Sequence, residues 1–327
     1  MITDQQYLGS KAISQSKLKK ILTHPSNFLD DNSESEFDEP KVNIAIGDGV
    51  DILLTQNEDA FFEKFHISTV ERPTGQMGDY VWSLFVHRDN PDAEEIAYQE
   101  AGFKRDTLEK VKQRFEAEGA QYFHDLVEGE NKTVITPQQF AQIQMAKETL
   151  LTHPFTSKYF KNTERYEVHY QYPIYFDYEG YECKGLLDML IIDKEERAVY
   201  PVDIKTTNYK IDSWIANFWS LRYDFQAAFY THGILFSDTL YKFNCDKIGT
   251  FRFIVVNQTN AKNPLVFEAG PDIIKFGHSG GKMISKEYDG FSQAIKRLAW
   301  HTENDLWEYR MEDYLNNGVR PINLPKL

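Results

Sequence analysis

"VYPVDIKTT", residues 199–207, sets an acid and a base two positions apart in an apolar, β-favouring run, and its reading decides the fold. In a strand successive side chains alternate faces. Asp203 and Lys205 then share one face, and Val202 and Ile204 share the other. One reading is a solvated strand edge carrying a weak surface ion pair. The other is a metal-binding carboxylate beside a lysine that touches a phosphate or a water. The triplet alone decides nothing, because Glu39-Pro40-Lys41, Glu130-Asn131-Lys132 and Glu182-Cys183-Lys184 repeat it. Its surroundings do the sorting.

The chain of 327 residues can bury a large core, and its 23 Phe, 19 Tyr and 5 Trp argue for a packed globular protein. The start, "MITDQQYLGSKAIS", lacks the basic-then-apolar profile of a signal peptide, and no apolar stretch reaches the length of a membrane span. A cytoplasmic location is therefore expected. Two cysteines, Cys183 and Cys245, cannot form a four-thiolate site, and two reduced thiols are expected in preference to a disulfide. Against 36 Lys plus Arg stand 50 Asp plus Glu, a formal charge of −14. That argues against a protein that coats nucleic acid generally, since phosphate contacts need local positive potential. A confined basic groove stays open: "SKLKK" (16–20), "KRDTLEKVKQR" (104–114), Lys205, Lys210 and Arg222 are candidates, and the wet faces of helices are the plainer account.

The first third reads as helix. Ser14 or Ser16 caps "SKLKKIL", and His24-Pro25 ends it. Residues 30–39, "DDNSESEFDE", read as an exposed acidic loop. "VNIAIGDGVDILLTQ" (42–56) reads as a buried helix whose glycines 47 and 49 make sense only if the backbone passes close to something. Amphipathic stretches follow at 92–101 and 105–127, and Thr136-Pro137 opens a helix through about 151. Residues 165–207 are dense in Tyr, Val and Ile, with polar turns at 177–180 and 193–197, and predict three or four antiparallel strands. A helical stretch over 211–237 precedes strands at 249–258 and 264–269, and helix returns over 291–315. "KFGHSGGKMISKEYDG" (275–290) fails the P-loop pattern and reads as a flexible surface loop. The fold class expected is α/β: a central mixed sheet flanked by helices, with helical N-terminal and C-terminal elaborations. We expect one elaborated domain over 1–327, mostly helical over 1–160, with the core strands over 161–270 and a C-terminal loop and helix over 271–327.

Three features gather around the opening stretch. "KGLLDMLIID" (184–193) is an apolar strand interrupted by Asp188, which is costly there unless paired or metal-bound. The turn "DKEERA" folds this strand back on "VYPVDIK", which brings Asp188 toward Asp203 and Lys205. In "YDFQAAFYTHGI" (223–234), Gln226 and Tyr230 stand at i and i+4 on one helix face. Glu167, in "YEVHYQY", is a further candidate acid. Hard oxygen ligands of this kind suit Mg²⁺ or Mn²⁺, which polarise a phosphodiester and lower the pKa of a bound water.

Gly185-x-x-Asp188, Asp203-x-Lys205 and Gln226-x-x-x-Tyr230, in that order on strand, strand and helix, resemble the PD-(D/E)XK nuclease superfamily. Within it the pattern resembles the branch that shares a Gln-x-x-x-Tyr helix with the RecB nuclease domain, and more narrowly phage and prophage exonuclease VIII (RecE-type) proteins. "AISQSKLKKILTHPSNF" (12–28) and "NKTVITPQQFAQIQMAKETLLTHPF" (131–155) are similar to the same group, and the likeness runs over about 12–260.

The resemblance implies metal-dependent hydrolysis of duplex DNA from its ends. It further implies a product strand for a single-strand annealing protein, and homo-oligomers. It implies Asp188 and Asp203 as Mg²⁺ or Mn²⁺ ligands, Lys205 as catalytic lysine, Glu167 as a further acid, and Gln226 and Tyr230 as DNA-binding or site-bracing residues. Relatives carry Gly-x-x-x-His on the early helix, where "GDGVD" (47–51) offers Asp51 as metal ligand instead. Two rivals stand beside this reading, and that departure and the acidic charge favour the first. One is a non-catalytic relative acting by protein binding or DNA mimicry, and the other is an endonuclease on the same core.

Overall fold

The computed structural model describes residues 7, 9–30, 41–284, 286–320 and 322, so the acidic stretch 30–39 lies, Asp30 apart, outside the described residues. Among the described residues the strands are β1 (Ile13–Ser14), β2 (Phe65–Ile67), β3 (Thr133–Ile135), β4 (Tyr166–Tyr178), β5 (Tyr181–Asp193), β6 (Ala198–Thr207), β7 (Lys247–Ile248), β8 (Phe251–Asn257), β9 (Leu265–Ala269), β10 (Gly281–Met283) and β11 (Lys286–Tyr288). The helices before the main sheet are α1 (Gln15–Thr23), α2 (Val42–Thr55), α3 (Glu58–Lys64), α4 (Gln76–Val86), α5 (Ala93–Glu100), α6 (Leu108–Glu118), α7 (Ala120–Glu128) and α8 (Pro137–Thr152). Those after it are α9 (Trp214–Ser220), α10 (Tyr223–Phe236), α11 (Thr239–Lys242), α12 (Pro271–Ser279), α13 (Phe291–Asn304) and α14 (Met311–Leu315).

The tyrosine- and valine-rich middle of the chain folds as two successive hairpins, β4–β5 and β5–β6, both antiparallel. β6 then pairs in parallel with β8, and β9 returns antiparallel beside β8, which makes the sheet mixed as expected. Helices cover both faces. On one, α10 packs Phe225, Phe229 and Tyr230 against Leu187, Leu190 and Phe253. On the other, α2 and α8 pack Ile46, Val50, Ile143 and Leu150 against Met189, Val202 and Ile204. A further core joins α4 to α7 through Tyr80, Val81, Val111 and Leu126.

The helix ends follow local chemistry. Ser14 accepts the Lys17 amide and caps α1, and His24-Pro25 ends it in a 3₁₀ turn. Thr136 and Gln139 form a reciprocal capping box on α8, with Pro137 in its first turn. The stretch 105–127 breaks in two at Gly119, and 211–237 breaks at Arg222, which adopts φ +56°. Arg222 holds that break with bonds to both Asp224 oxygens (2.9 and 3.0 Å) and to the Asp289 carbonyl (2.7 Å).

Residues 275–290 correct the sequence reading. The described residues among them form helix and strand: α12 runs through Ser279, and β10 pairs antiparallel with β11. The ordering force is a close helix crossing. A Cβ on Gly277 would stand 2.0 Å from the Asp224 carbonyl oxygen, so α12 lies directly on α10. α10 is consequently buried at every position from Asp224 to Tyr230, between the sheet and the C-terminal helices.

Candidate active site

The site forms where two paired strands part. β5 and β6 are in register from Asp193↔Ala198 to Met189↔Val202, and the ladder ends there. The next opposed residues are Asp188 and Asp203. Beyond them β6 follows β8 and β5 follows β4, so the amide of Ile204 has lost its strand partner. It donates instead to Asp188 Oδ2 at 2.7 Å. A backbone donor freed by the parting thus fixes one carboxylate in the fork.

A second irregularity sharpens the fork. Val168 and Tyr170 of β4 pack toward α2 and α8, whereas Tyr172, Ile174 and Phe176 pack toward α10. The face switches at Gln171, which has φ +46° and stands opposite Asp188 between the pairs Tyr170↔Met189 and Tyr172↔Leu187. Its amide reaches α2, donating to Asp51 Oδ2 at 3.2 Å and to Thr55 Oγ1 at 2.8 Å.

Helix α2 brings Asp51 to the fork by close approach. A Cβ on Gly47 would lie 3.1 Å from Thr206 Oγ1, and one on Gly49 would lie 2.6 Å from Ile143 Cδ1. The two glycines let the helix lie against β6 and α8, and Asp51 follows Gly47 by one turn on the same face. From the opposite layer, Gln226 Nε2 donates to Asp203 Oδ1 at 2.6 Å. Gly185 makes room for the Tyr230 ring, since a Cβ there would meet Tyr230 Cε1 at 2.8 Å. Lys205 Nζ pairs with Asp203 Oδ2 at 2.5 Å and lies 5.0 Å above the Tyr223 ring centre. Tyr223, Gln226 and Tyr230 occupy i, i+3 and i+7 of one face of α10.

Three carboxylates and one lysine leave this fork short of positive charge. Burial, then Asp51 and Asp203, push the Asp188 carboxyl well above the ordinary range, and Lys205 and the Ile204 amide offset only part of that. Burial and Asp203 raise Asp51 to about 6, against the pull of Lys205 and Gln171. Burial disfavours the charged form of Lys205, but Asp203 and Asp188 overcome it and hold the ammonium above its usual range. A second cation stands close by: Lys19 of α1 donates to the Leu221 carbonyl at 3.2 Å. Burial, then Lys205 and Arg222, lower it to about 8. Surplus negative charge on hard oxygen donors is what a divalent cation neutralises.

The scan against family models matches the PDDEXK-like domain of unknown function (DUF3799) over residues 14–307. The chain belongs to this family. Among solved structures it is similar to a crystal structure from Eubacterium rectale described as a candidate exonuclease, with 12% identity over 100% of this chain and 96% of that chain and a TM-score of 0.51. That likeness shows the shared fold. Another match, SSO0001, has 11% identity over 84% of this chain and 91% of that chain at a TM-score of 0.25, and bears no argument. Comparison with the curated proteins finds no match. The PDDEXK-like domain supports a nuclease, in line with the resemblance drawn from the motifs.

In this PDDEXK-like chain the structure gathers Asp51, Asp188, Asp203, Lys205, Gln226 and Tyr230, and leaves Glu167 out. Glu167 faces Ile192 at the open end of the β4–β5 ladder, beside the turn from β5 to β6, where it pairs with His169 (2.8 Å) and Lys194 (3.2 Å). It lies four positions before the Gln171 switch, so no side-chain reach brings it to the fork. Gln171, Thr55 and Tyr223 are neighbours that sequence reasoning did not single out, and Lys19 entered it only within the basic run 16–20. Tyr223 alone carried a signal, through its spacing to Gln226. In the basic run 104–114, Lys112 pairs with Glu94 (2.7 Å) and Arg114 with Asp106 (3.2 Å) and Glu118 (3.0 Å). Cys183 and Cys245 are both buried and free. Among the described residues no helix is long and apolar enough to cross a membrane.

One other group has metal-ligand chemistry. His66, Asp125 and Glu128 are the one set among the described residues whose ligand atoms all lie within 4.8 Å of one another. Both Asp125 oxygens are already engaged there, by the Thr69 amide (2.7 Å), the Thr69 hydroxyl (3.0 and 3.1 Å) and the Gln121 amide (3.3 Å).

Proposed function

We propose that the chain is a metal-dependent deoxyribonuclease acting from the ends of duplex DNA. The observation that carries this reading is the convergence of Asp51, Asp188, Asp203 and Lys205 at the parting of β5 and β6. The donor set suits Mg²⁺ or Mn²⁺: Asp203 Oδ2 is buried against the Lys205 ammonium at 2.5 Å, and its two companions resist ionisation. Asp51, Asp188 and Asp203 would hold the cation, which when bound lowers the pKa of water and stabilises charge on phosphate oxygens. Asp51 then stands where relatives carry histidine.

The residues of the chain do the rest. Lys205, held charged, orients the attacking water or offsets charge growing on the scissile phosphate. Gln226 fixes the orientation of Asp203 through one 2.6 Å bond to Oδ1 and leaves Oδ2 to Lys205 and a cation. Tyr230 is buried and keeps its proton, since burial and Asp203 raise its pKa well above the ordinary value. Lys19 and Lys205 supply the local positive potential that a chain of net charge −14 needs in order to receive a phosphodiester backbone.

The end-directed part of this reading rests on the likeness to exonuclease VIII-type motifs, and in it the surviving strand would pass to an annealing partner. Purified protein is expected to degrade linear duplex DNA in Mg²⁺ or Mn²⁺ and to spare the same DNA as a closed circle. Cutting of both substrates would make it an endonuclease on this core. Cutting of neither in any divalent metal would end the nuclease reading and favour a binding role.

A further inference from the structure

The acidic fork is not the only recess in the sheet. A pocket of about 580 Å³ opens between the 3₁₀ turn Ser157–Phe160 and the ends of β4, β6 and β8. It is lined by the apolar Val168 and Ile191, by Tyr159, Tyr166 and Tyr200, and by the carboxylates Asp193 and Glu196, which pair with Arg165 and Lys247. Tyr200, Val168 and Ile191 all pack on the α2 and α8 side of the sheet. Asp203 and Lys205 alternate with Val202 and Ile204, so their side chains leave β6 on the opposite side. Tyr200 also precedes Asp203 by three residues, about 10 Å along the strand. The pocket is therefore separate from the fork.

Four cations border it, and they divide into two kinds. Arg165 is consumed by Asp193 (2.7 Å) and Glu195 (3.0 Å). Arg252 is braced by Glu268 (3.0 Å), and its guanidinium lies 4.3 Å from the Tyr200 ring centre and 5.5 Å from that of Tyr159. These two arginines build the walls. Lys158 and Lys161 are exposed and have no carboxylate partner among the described residues, and the Lys158 ammonium stands 5.1 Å over the Tyr159 ring. Arg165 lies 5.1 Å from the Tyr166 ring centre, so each tyrosine has a cation on one face, and a ligand would stack on a remaining face or edge. An anion alone would have no use for three tyrosines and two apolar side chains. An apolar ligand would have no use for two free ammonium groups at the rim. A planar base carrying a phosphate uses both, and the volume is that of a small-ligand site.

We propose that this pocket binds a nucleotide unit, with the base against the tyrosine rings and the phosphate at Lys158 and Lys161. The unit is either a free mononucleotide or one residue of a single strand. The assignment goes beyond the nuclease reading, and it can be tested without hydrolysis.

The test is fluorescence anisotropy of a labelled ten-residue oligothymidylate in EDTA, with wild type, Lys158→Glu/Lys161→Glu and Tyr166→Ala. All three substituted side chains are exposed, so unchanged melting curves are expected and check that the variants fold. Binding is expected to weaken about tenfold in each variant, the scale of one lost base stack or phosphate pair. Displacement of the strand by thymidine monophosphate would assign the site to free nucleotide, and resistance to it would assign the site to the strand. Equal binding by all three proteins, no binding by wild type, or displacement by inorganic phosphate as effective as by the nucleotide would overturn the proposal. Mg²⁺-dependent hydrolysis of duplex DNA is scored separately, with Asp203→Ala as its control. Failure of the nuclease reading and failure of the pocket therefore give different patterns.

Discussion

Strand β5 carries two aspartates five residues apart, and they live opposite lives. Asp193, at the turn end, is buried, but Arg165 grips both its oxygens (2.7 and 3.0 Å) and the amides of Glu195 and Glu196 add bonds of 3.1 and 3.0 Å. Burial raises its pKa, and those donors more than reverse the effect, so it sits below the usual carboxylate range. Asp188, at the parting of the strands, has one backbone amide and two acidic neighbours, and is pushed well above that range. Both are apolar-strand aspartates in "KGLLDMLIID". What separates them is compensation: the fold neutralises one internally and leaves the other in want of a cation. Structural acids are satisfied where they stand, and a candidate catalytic acid is one the chain itself does not satisfy.

Exchanging each aspartate for asparagine should break the comparison most sharply. Asp188→Asn is expected to lower metal-dependent DNA hydrolysis by about 10²–10³-fold with little loss of stability, the scale of a lost charge-stabilising group. Asp193→Asn is expected to leave the rate per folded molecule unchanged and to cost about 1–3 kcal/mol, because the half-exposed Arg165 loses its partner while solvent screens part of the loss. Turnover and urea denaturation of both variants read the two effects. The reverse pattern would make Asp188 structural.

Metal itself should separate the two ends of the strand. Mg²⁺ or Mn²⁺ at 100 times its dissociation constant should stabilise wild type by about 2.7 kcal/mol, seen as a rise in Tm. The rise should persist in Asp193→Asn and vanish in Asp203→Asn. A rise that survives in Asp203→Asn and disappears in His66→Ala would move the metal to the His66, Asp125 and Glu128 group.

The pH dependence sharpens the account further. Asp51 has its pKa raised to about 6, so the folded protein holds a proton that the unfolded chain releases near pH 4. Its ionisation therefore costs stability progressively as pH rises from about 4 to 6, and the full cost is present above that. Asp51→Asn is expected to stabilise the metal-free protein by on the order of 1–2 kcal/mol at pH 7, with the gain gone at pH 4. Asp193 runs the other way. Its contribution is present above the ordinary carboxylate pKa and is lost as pH falls through its lowered value. Gln226→Ala, which removes one bond from Asp203, should have the smallest effect, about tenfold in rate.

Much of this contrast was legible in the sequence because it is carried by local pattern. The alternation of "VYPVDIKTT" places Asp203 and Lys205 on one face, the polar turn at 193–197 sets the β5–β6 register, and the i, i+4 spacing sets Gln226 beside Tyr230. Gly47 and Gly49 signalled the close approach that delivers Asp51. Other parts left no local trace. The face switch at Gln171 depends on a single positive φ in an ordinary-looking strand, and without it Glu167 reads as an equal candidate. Lys19 reaches a carbonyl 202 residues away in sequence. Residues 275–290 are ordered by the crossing of α12 on α10, which their glycine-rich composition conceals.

The central claim is that the uncompensated acids at the fork hold a divalent cation. Mn²⁺ binding measured by titration calorimetry on wild type, Asp188→Asn and Asp193→Asn tests it most directly. Stoichiometric binding is expected in wild type and Asp193→Asn, and its loss in Asp188→Asn. Equal binding by all three proteins would contradict it.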